Sequence, residues 1–136
     1  MRSMVLIDTS IWINVLGKNK SESYTRNLQD VIGGREVFLT RFQQLEILQG
    51  CRTEKEWGKL SEYLDGQDYL AMRSSSWQSA ARIFYDLRKR GLTVRSPIDC
   101  CIAQIAIEQG MLLIHDDRDF EVIGKHFPLR HLRFIK

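Results

Sequence analysis

The segment MVLIDTS, residues 4–10, determines the fold class of this chain. Its first four residues are apolar and rich in β-formers, which predicts a short buried strand. The next three, Asp8, Thr9 and Ser10, can each cap a helix, and apolar residues then recur over residues 11–16. The segment therefore predicts a strand that passes directly into a helix, which is the repeating unit of α/β proteins.

The same alternation continues to the end of the chain. Further strands are predicted at Glu36–Thr40, Asp68–Met72, Met111–Ile114 and, as an edge strand, Leu132–Ile135. Helical spacing and capping residues predict helices at 24–32, 42–49, 53–65, 74–91, 96–110 and 118–125. We therefore expect a three-layer α/β/α sandwich with a mostly parallel central sheet. No repeat or linker interrupts the pattern, so residues 1–136 are expected to form one domain.

Composition excludes several classes of protein. The chain has 136 residues, of which 43% are hydrophobic and 27% charged, as in ordinary globular domains. Its formal net charge of +3 permits a nucleic-acid partner without requiring one. No run approaches the roughly 20 apolar residues that span a membrane, so no membrane partner is expected. The odd set of Cys51, Cys100 and Cys101 indicates reduced thiols and a cytoplasmic location.

Acidic side chains follow both strongly apolar strands. Asp8 ends the first strand, and the second is followed by Asp116, Asp117 and Asp119. Ligands of parallel sheets bind at the carboxyl ends of strands, so these acids are expected at one edge. The alternative interpretation is structural, because Asp8 and one of the later acids are also suited to cap helices. Since Thr9 or Ser10 can cap the first helix instead, Asp8 is expected to be less necessary as a cap.

Two further acids lie on predicted helices. Glu46 shares a helical stripe with Phe42 and Leu45, which places it beside the apolar side of its helix, where an unpaired carboxylate is costly. Asp99 lies in the first turn of a helix that is apolar nearly all round, so its carboxylate is expected to face the interior or a cleft. Each has a structural alternative, as a boundary residue for Glu46 and as a partner of the helix dipole for Asp99.

These residue types favour Mg²⁺ or Mn²⁺ as the ligand of the acids. Hard cations take carboxylate oxygens and water, whereas zinc sites use sets of His and Cys. The histidines lack zinc-ligand spacing and are expected in loops or at the surface: His115, His126 and His131. A carboxylate-bound metal pair lowers the pKa of an attacking water and stabilises charge on a phosphodiester. The acids therefore predict metal-dependent hydrolysis of phosphodiester bonds.

The order of these segments resembles that of the PIN-domain family. MVLIDTS at 4–10 resembles the family's first strand and acid, and QLEILQG at 44–50 resembles the motif of its second acid. PIDCCIA at 97–103 and LLIHDDRDFE at 112–121 resemble the third and last motifs. The resemblance spans nearly the whole chain in the same order, and within the family it is greatest to VapC toxins, the ribonuclease half of bacterial toxin–antitoxin pairs.

This resemblance implies a single PIN-like nuclease domain with endoribonuclease activity that requires Mg²⁺ or Mn²⁺. It also implies a homodimer and inhibition by a small VapB-type antitoxin. Carried over residue by residue, it implies that four acids are catalytic metal ligands and that the last in this series is a fifth ligand: Asp8, Glu46, Asp99, Asp117 and Asp119.

Two details of the carry-over stay open. Asp116 departs from the family pattern, in which a neutral or basic residue is frequent, and the spacing of DRDF at 117–120 favours Asp117 over Asp116 as the ligand. Thr9 or Ser10 is expected to orient Asp8 or a metal-bound water.

Basic and aromatic residues offer weaker signals for RNA. Arg88, Lys89 and Arg95 precede the helix at 96–110 and are candidates for binding RNA phosphates, with a solvated helix face as the alternative. The three tryptophans lie at helical spacing and are predicted to be core residues: Trp12, Trp57 and Trp77.

Two other functions fit parts of the pattern. A haloacid-dehalogenase-like phosphatase also has an Asp after its first strand, but it would need a second Asp two residues later, where Ser10 stands. A non-catalytic PIN-like RNA-binding protein is expected to have lost some of the acids, and here every matching position is filled.

Overall fold

The computed structural model describes residues 3–17 and 21–136, and it contains five strands that alternate with helices. In chain order the elements are β1 (Met4–Ile7), α1 (Thr9–Leu16), α2 (Glu22–Ile32), β2 (Glu36–Thr40), α3 (Arg41–Gln49), α4 (Glu54–Asp65), β3 (Tyr69–Leu70), α5 (Ser74–Lys89), α6 (Pro97–Gln109), β4 (Leu112–His115), α7 (Arg118–His126) and β5 (Arg130–Arg133). Among these residues no helix is both long and apolar enough to cross a membrane.

The five strands form one parallel sheet in the order β3-β2-β1-β4-β5. Side chains of successive residues in a strand point to opposite faces, so the central strands contribute to two cores. Leu6 and Leu113 pack with residues of α5, α6 and α7, whereas Val5, Ile7 and Ile114 pack with α1 to α4. Helices cover both faces, which confirms the predicted α/β/α sandwich.

Three strands differ from the sequence prediction in their limits, and β3 is the shortest, with only Tyr69–Leu70 instead of Asp68–Met72. The edge strand begins at Arg130 rather than Leu132, and its Arg130 and His131 pair with Leu112 and Leu113 of β4. An edge strand has a neighbour on one side only, so it tolerates polar residues that an apolar-run criterion passes over. β4 is likewise shifted by one residue, to Leu112–His115 instead of Met111–Ile114, and therefore includes His115.

Two of the three tryptophans predicted to be core residues are exposed. Trp12 is buried, whereas Trp57 and Trp77 expose 46% and 55% of their surface. Helical spacing identifies residues that share a face, but the neighbouring elements decide how much of that face is covered. The prediction was therefore wrong for Trp57 and Trp77.

A buried glutamine joins α3 to the end of β1. The Nε2 of Gln43 donates to the carbonyl oxygen of Ile7 at 2.8 Å, and its Oε1 accepts from the N–H of Thr40 at 2.7 Å. The indole N–H of Trp12 donates to the same carbonyl oxygen at 2.9 Å. Buried carbonyl oxygens need such partners. The two bonds fix the orientation of the Ile7 carbonyl group, and with it the direction in which the chain continues to Asp8.

Candidate metal centre

The ends of β1 and β4 bring the first and last acidic motifs together. The two strands are neighbours in the sheet, with Ile7 opposite Ile114. The N–H of Asp8 continues the ladder by donating to the carbonyl oxygen of Ile114 at 2.9 Å. Asp117 and Asp119 follow β4 at the same edge, as expected for the carboxyl ends of parallel strands.

Three of the predicted acids form a compact cluster. Asp99, Asp117 and Asp119 each offer an oxygen that lies within 4.8 Å of the other two. Asp99 and Asp119 are buried and Asp117 is partly buried. Asp8 and Glu46 lie outside this group but interact with it, since the charge of Asp8 raises the pKa of Asp99 and the charge of Asp117 raises the pKa of Glu46.

Local helix signals place the three clustered acids. The Oγ of Ser96 caps α6 by accepting from the N–H of Ile98 at 3.1 Å, and Pro97 takes the first helical position, which puts Asp99 in the first turn. Asp117 caps α7 through its Oδ1, which accepts from the N–H of Asp119 at 2.9 Å. Asp117 is thus both a helix cap and a member of the cluster.

Asp8 also has both roles. Its Oδ2 caps α1 by accepting from the N–H of Ser10 at 3.1 Å, and it accepts from the Ser10 hydroxyl at 2.7 Å. The expectation that Thr9 or Ser10 would take over the capping role was wrong. The Ser10 Oγ in turn accepts from the N–H of Asp116 at 2.9 Å, so Ser10 connects the ends of β1 and β4.

Glu46 lies near this edge for a different reason than the predicted stripe. Leu45 is 56% exposed, and the buried residues of α3 are Gln43 and Ile47. The predicted stripe through Phe42, Leu45 and Glu46 was wrong because Gln43 takes a buried position instead. Its side-chain amide can be buried because both of its polar atoms have hydrogen-bond partners in the interior. Glu46 itself is half-buried, and its Oε1 accepts from the Thr9 hydroxyl at 3.0 Å. Thr9 therefore orients Glu46, while Ser10 orients Asp8.

Burial and mutual repulsion oppose ionisation of these acids. The pKa of Asp99 rises to about 8, mainly because of burial and then because of the charge of Asp117. Burial also raises the pKa of Asp8, against hydrogen bonds from Ser10 that lower it. The pKa of Glu46 is raised by burial first and then by the charges of Asp8 and Asp117. One electrostatic system therefore includes acids from four separate segments of the chain.

Arg95 is the predicted RNA-binding residue that contacts the cluster. Its guanidinium donates to Asp117 Oδ1 at 3.0 Å and lies 3.5 Å from Asp119 Oδ2. Its main-chain N–H donates to the same Asp119 oxygen at 3.1 Å. Arg88 and Lys89 are exposed and lie over the rings of Phe84 and Tyr85. Among the described contacts, neither of these two touches the acids.

Asp116 points away from the cluster. Its Oδ1 accepts from Arg133 of β5 at 2.9 Å, and Arg133 also pairs with Glu121 at 3.2 Å. The side chains of consecutive residues in extended backbone point in opposite directions, so Asp116 and Asp117 cannot both face the cluster.

Sequence reasoning missed His115. It was expected in a loop or at the surface, yet it is the fully buried last residue of β4. His131 was also misplaced, since it lies in β5 and donates or accepts across 3.0 Å to His115. His126 is exposed, as expected. The strand was predicted from a run of apolar residues that ends at Ile114, and His115 was left out because an imidazole is not counted as apolar.

The donor set of the cluster fits a divalent cation. It consists of carboxylate oxygens, the ligands that Mg²⁺ and Mn²⁺ prefer. Burial first, and then the charge of Asp117, raise the pKa of Asp99, and a cation among these groups would favour its ionised form. Asp99, Asp117 and Asp119 would hold such an ion, with Asp8 and Glu46 close enough to add negative charge.

Comparison with known proteins gives a consistent family match. The PIN domain family model matches residues 5–126. Ribonuclease VapC11 of Mycobacterium tuberculosis is 32% identical over 134 residues, which cover 96% of this chain and 99% of that protein. Ribonuclease VapC51 of the same species is 28% identical over 119 residues, 88% of this chain and 84% of that protein.

Solved structures show the same fold at lower identity. VapBC2 from Rickettsia felis, bound to a DNA fragment from its promoter, has a TM-score of 0.76 and 18% identity, covering 97% of this chain and 99% of that chain. DNA-bound VapBC from Salmonella typhimurium has a TM-score of 0.75 and 20% identity, covering 98% and 99%. VapBC-5 from Mycobacterium tuberculosis, described as a toxin–antitoxin system, has a TM-score of 0.68 and 20% identity, covering 96% and 98%.

Proposed function

The chain belongs to the PIN-domain family, and on that premise we propose that it is a VapC-type endoribonuclease that hydrolyses RNA at a divalent cation held by its acids. The observation that carries this proposal is the cluster of Asp99, Asp117 and Asp119, whose ligand oxygens lie within 4.8 Å of one another at the carboxyl edge of the sheet. Relatives named VapC ribonucleases, similar over 96% of the chain, support the reaction class.

Each residue of the proposed site has a separate role in hydrolysis. A bound Mg²⁺ or Mn²⁺ would supply a water of lowered pKa and would stabilise charge on the phosphate oxygens. Asp99, Asp117 and Asp119 would hold the ion, and Asp8 would add a carboxylate that Ser10 keeps oriented through two hydrogen bonds. Thr9 holds Oε1 of Glu46, which leaves the other oxygen of this half-buried carboxylate for the ion or a proton.

Arg95 is suited to bring RNA to these acids. Its side chain is 75% exposed, so the guanidinium is accessible at the mouth of the site while it pairs with Asp117. Guanidinium groups bind phosphate through paired hydrogen bonds. Arg88 and Lys89 would extend the positive charge along α5, where their charged groups lie over the rings of Phe84 and Tyr85.

Asp117→Asn is expected to reduce RNA cleavage by about 100-fold or more, whereas Asp116→Asn is expected to retain it within about threefold. Asn caps helices about as well as Asp, so the first variant should fold normally. The second removes one of the two carboxylate partners of Arg133 and leaves the cluster intact. Initial rates on a fluorogenic RNA, with Mn²⁺ and with EDTA, provide the measurement.

The neighbouring variants separate the possible outcomes. If Asp116→Asn is the inactive one, the ligand has been placed one residue too late. If both retain activity, or if the wild type cuts RNA in EDTA, the proposed metal-dependent function is wrong. Release of phosphate from small phosphoesters at comparable rates would instead favour a phosphatase.

We further propose a cytoplasmic homodimer that is inhibited by a VapB-type antitoxin. An apolar groove of about 290 Å³ supports the dimer, since it lies between α3, α5 and α6 and is bordered by exposed Trp77. Exposed apolar patches of this kind mark interaction surfaces. A short DNA-binding reading frame immediately upstream of the gene would support the antitoxin.

Trp77→Glu is expected to convert the dimer into a monomer, because it places a charge in the apolar surface where the ring meets Phe42. Ile135→Glu is the matched control, since Ile135 is 69% exposed and lies outside that groove. Light scattering after size exclusion should give twice the chain mass for the wild type and the control. A monomeric wild type, or a dimeric Trp77→Glu variant, would contradict the proposed dimer.

A further inference from the structure

A chain of hydrogen bonds runs from the acidic cluster to the edge strand. The main-chain N–H of Asp117 donates to Nδ1 of His115 at 3.1 Å. On the other side of the ring, Nε2 of His115 lies 3.0 Å from Nδ1 of His131 in β5. Two imidazoles thus connect a clustered acid to a strand that carries none of the site residues.

The first bond determines the tautomer of both rings. Because the N–H of Asp117 donates to it, Nδ1 of His115 must carry a lone pair. The proton of the neutral His115 ring is then on Nε2, which donates to Nδ1 of His131. His131 in turn carries its own proton on Nε2. One direction of donation therefore fits the whole chain, from Asp117 to β5.

The surroundings prevent the His115 ring from turning. The residue is fully buried, with the rings of Phe120 and His131 at centroid distances of 5.1 and 5.2 Å. On its far side, the ring of His131 lies close to Gly124 of α7, where a Cβ would overlap the imidazole. Glycine at this position is what allows His131 to approach α7 so closely.

The bond to His115 completes the anchoring of the turn between β4 and α7. The N–H of Asp116 is held by the Ser10 hydroxyl, and the next N–H, that of Asp117, is held by His115. Because these bonds hold the backbone of Asp117 in place, they also help to fix the position of its carboxylate. Partners that orient a metal ligand typically change metal affinity by about 10- to 100-fold when they are removed.

We propose that His115 is a positioning residue of the metal site, which holds the main-chain N–H of Asp117 through Nδ1 and is itself held in the required tautomer by His131. This inference rests on the proposed function, because it assigns Asp117 to the metal. It adds β5, through His131, to the elements that support the site.

Two substitutions separate the two sides of the ring. In His115→Asn, the side-chain oxygen can accept from the N–H two residues later, as in an Asx turn, so the bond to Asp117 is kept and that to His131 is lost. In His115→Gln, the longer amide reaches towards His131, and the bond to Asp117 is lost. We expect the Kd for Mn²⁺, measured by calorimetry, to rise about 10-fold or more for His115→Gln and less than about threefold for His115→Asn.

Nitrogen NMR of the metal-free wild type gives an independent readout. Long-range correlations between ring protons and nitrogens should report Nε2–H tautomers for both histidines. An Nδ1–H tautomer at His115 would overturn the proposal, as would equal Mn²⁺ affinity in the wild type and both variants. If only the variants fail to fold, the NMR result still decides. Absence of Mn²⁺ binding by the wild type would refute the proposed metal site itself, and the tautomers would then test the hydrogen-bond chain separately.

Discussion

Asp99→Asn is expected to abolish metal-dependent RNA cleavage and, in the same protein, to raise the melting temperature in EDTA. Asp99 is 8% exposed, and its pKa of about 8 shows that the folded chain resists its charge. Asn cannot ionise, so folding no longer has to protonate a carboxyl that is ionised in the unfolded chain at pH 7. It also fits the same volume and can donate a hydrogen bond to Asp119 in place of the protonated acid. We expect Tm to rise by about 5 °C, while cleavage falls about 1,000-fold because a ligand of the ion is lost.

The opposite signs of the two effects make this test specific. Thermal unfolding at pH 7 in EDTA and cleavage rates in Mn²⁺ are measured on the same preparation. Asp86→Asn is the control, since Asp86 pairs with exposed Arg82 on α5 and is expected to change neither quantity by much. Retained cleavage in Asp99→Asn would remove Asp99 from the site. Lost cleavage with a lower Tm would refute the assigned cost of burying the carboxyl group of Asp99.

The metal-free protein is expected to lose about 2 kcal/mol of unfolding free energy between pH 6.5 and pH 8, and Mn²⁺ is expected to remove that loss. Asp99 has a folded pKa of about 8 against an ordinary value of 3.8, so its stabilising contribution is lost as the pH rises through this window. Burial lowers the pKa of His115 to about 4 from 6.5, so its contribution is lost in the opposite direction, as the pH falls below 6.5. The slopes of Asp99 and His115 oppose each other between about pH 4 and 6.5, and above pH 6.5 His115 no longer offsets that of Asp99. The raised pKa values of Asp8 and Glu46 act in the same direction as that of Asp99.

Urea unfolding at pH 6.5 and pH 8 checks this prediction, with EDTA and with saturating Mn²⁺. A bound cation favours the ionised carboxylate, so the difference in stability with and without Mn²⁺ should grow as the pH rises. Asp99→Asn in EDTA should show a much smaller slope than the wild type. An equal slope in the variant would assign the pH dependence to another group.

Much of the site was predictable because two simple rules place it. Acids that follow apolar strands of a parallel sheet meet at one edge, and this located Asp8 and the acids after β4. An acid at the start of a helix that is apolar nearly all round faces inward, and this located Asp99. Four motifs in the family's order predicted the PIN family, which the family model confirms over residues 5–126.

Other features depended on contacts between distant residues. Thr9 pairs with Glu46, and Arg95 pairs with Asp117. The residues of each pair are far apart in the sequence, so the periodicity of the sequence does not predict that they meet. The burial of His115 likewise followed from β5, a polar strand that covers it and that the apolar-run criterion placed two residues too late.

The sequence by itself determined the alternation of strands and helices, the parallel sheet and the types of the site residues. These depend on local periodicity and on chemistry that a residue carries wherever it lies. Only the tertiary structure decided that Asp99, Asp117 and Asp119 converge within 4.8 Å, that Asp116 turns to Arg133, and that His115 is buried. Those outcomes depend on strand order and register, and a shift of one residue in register would reverse the direction of every side chain in the strand.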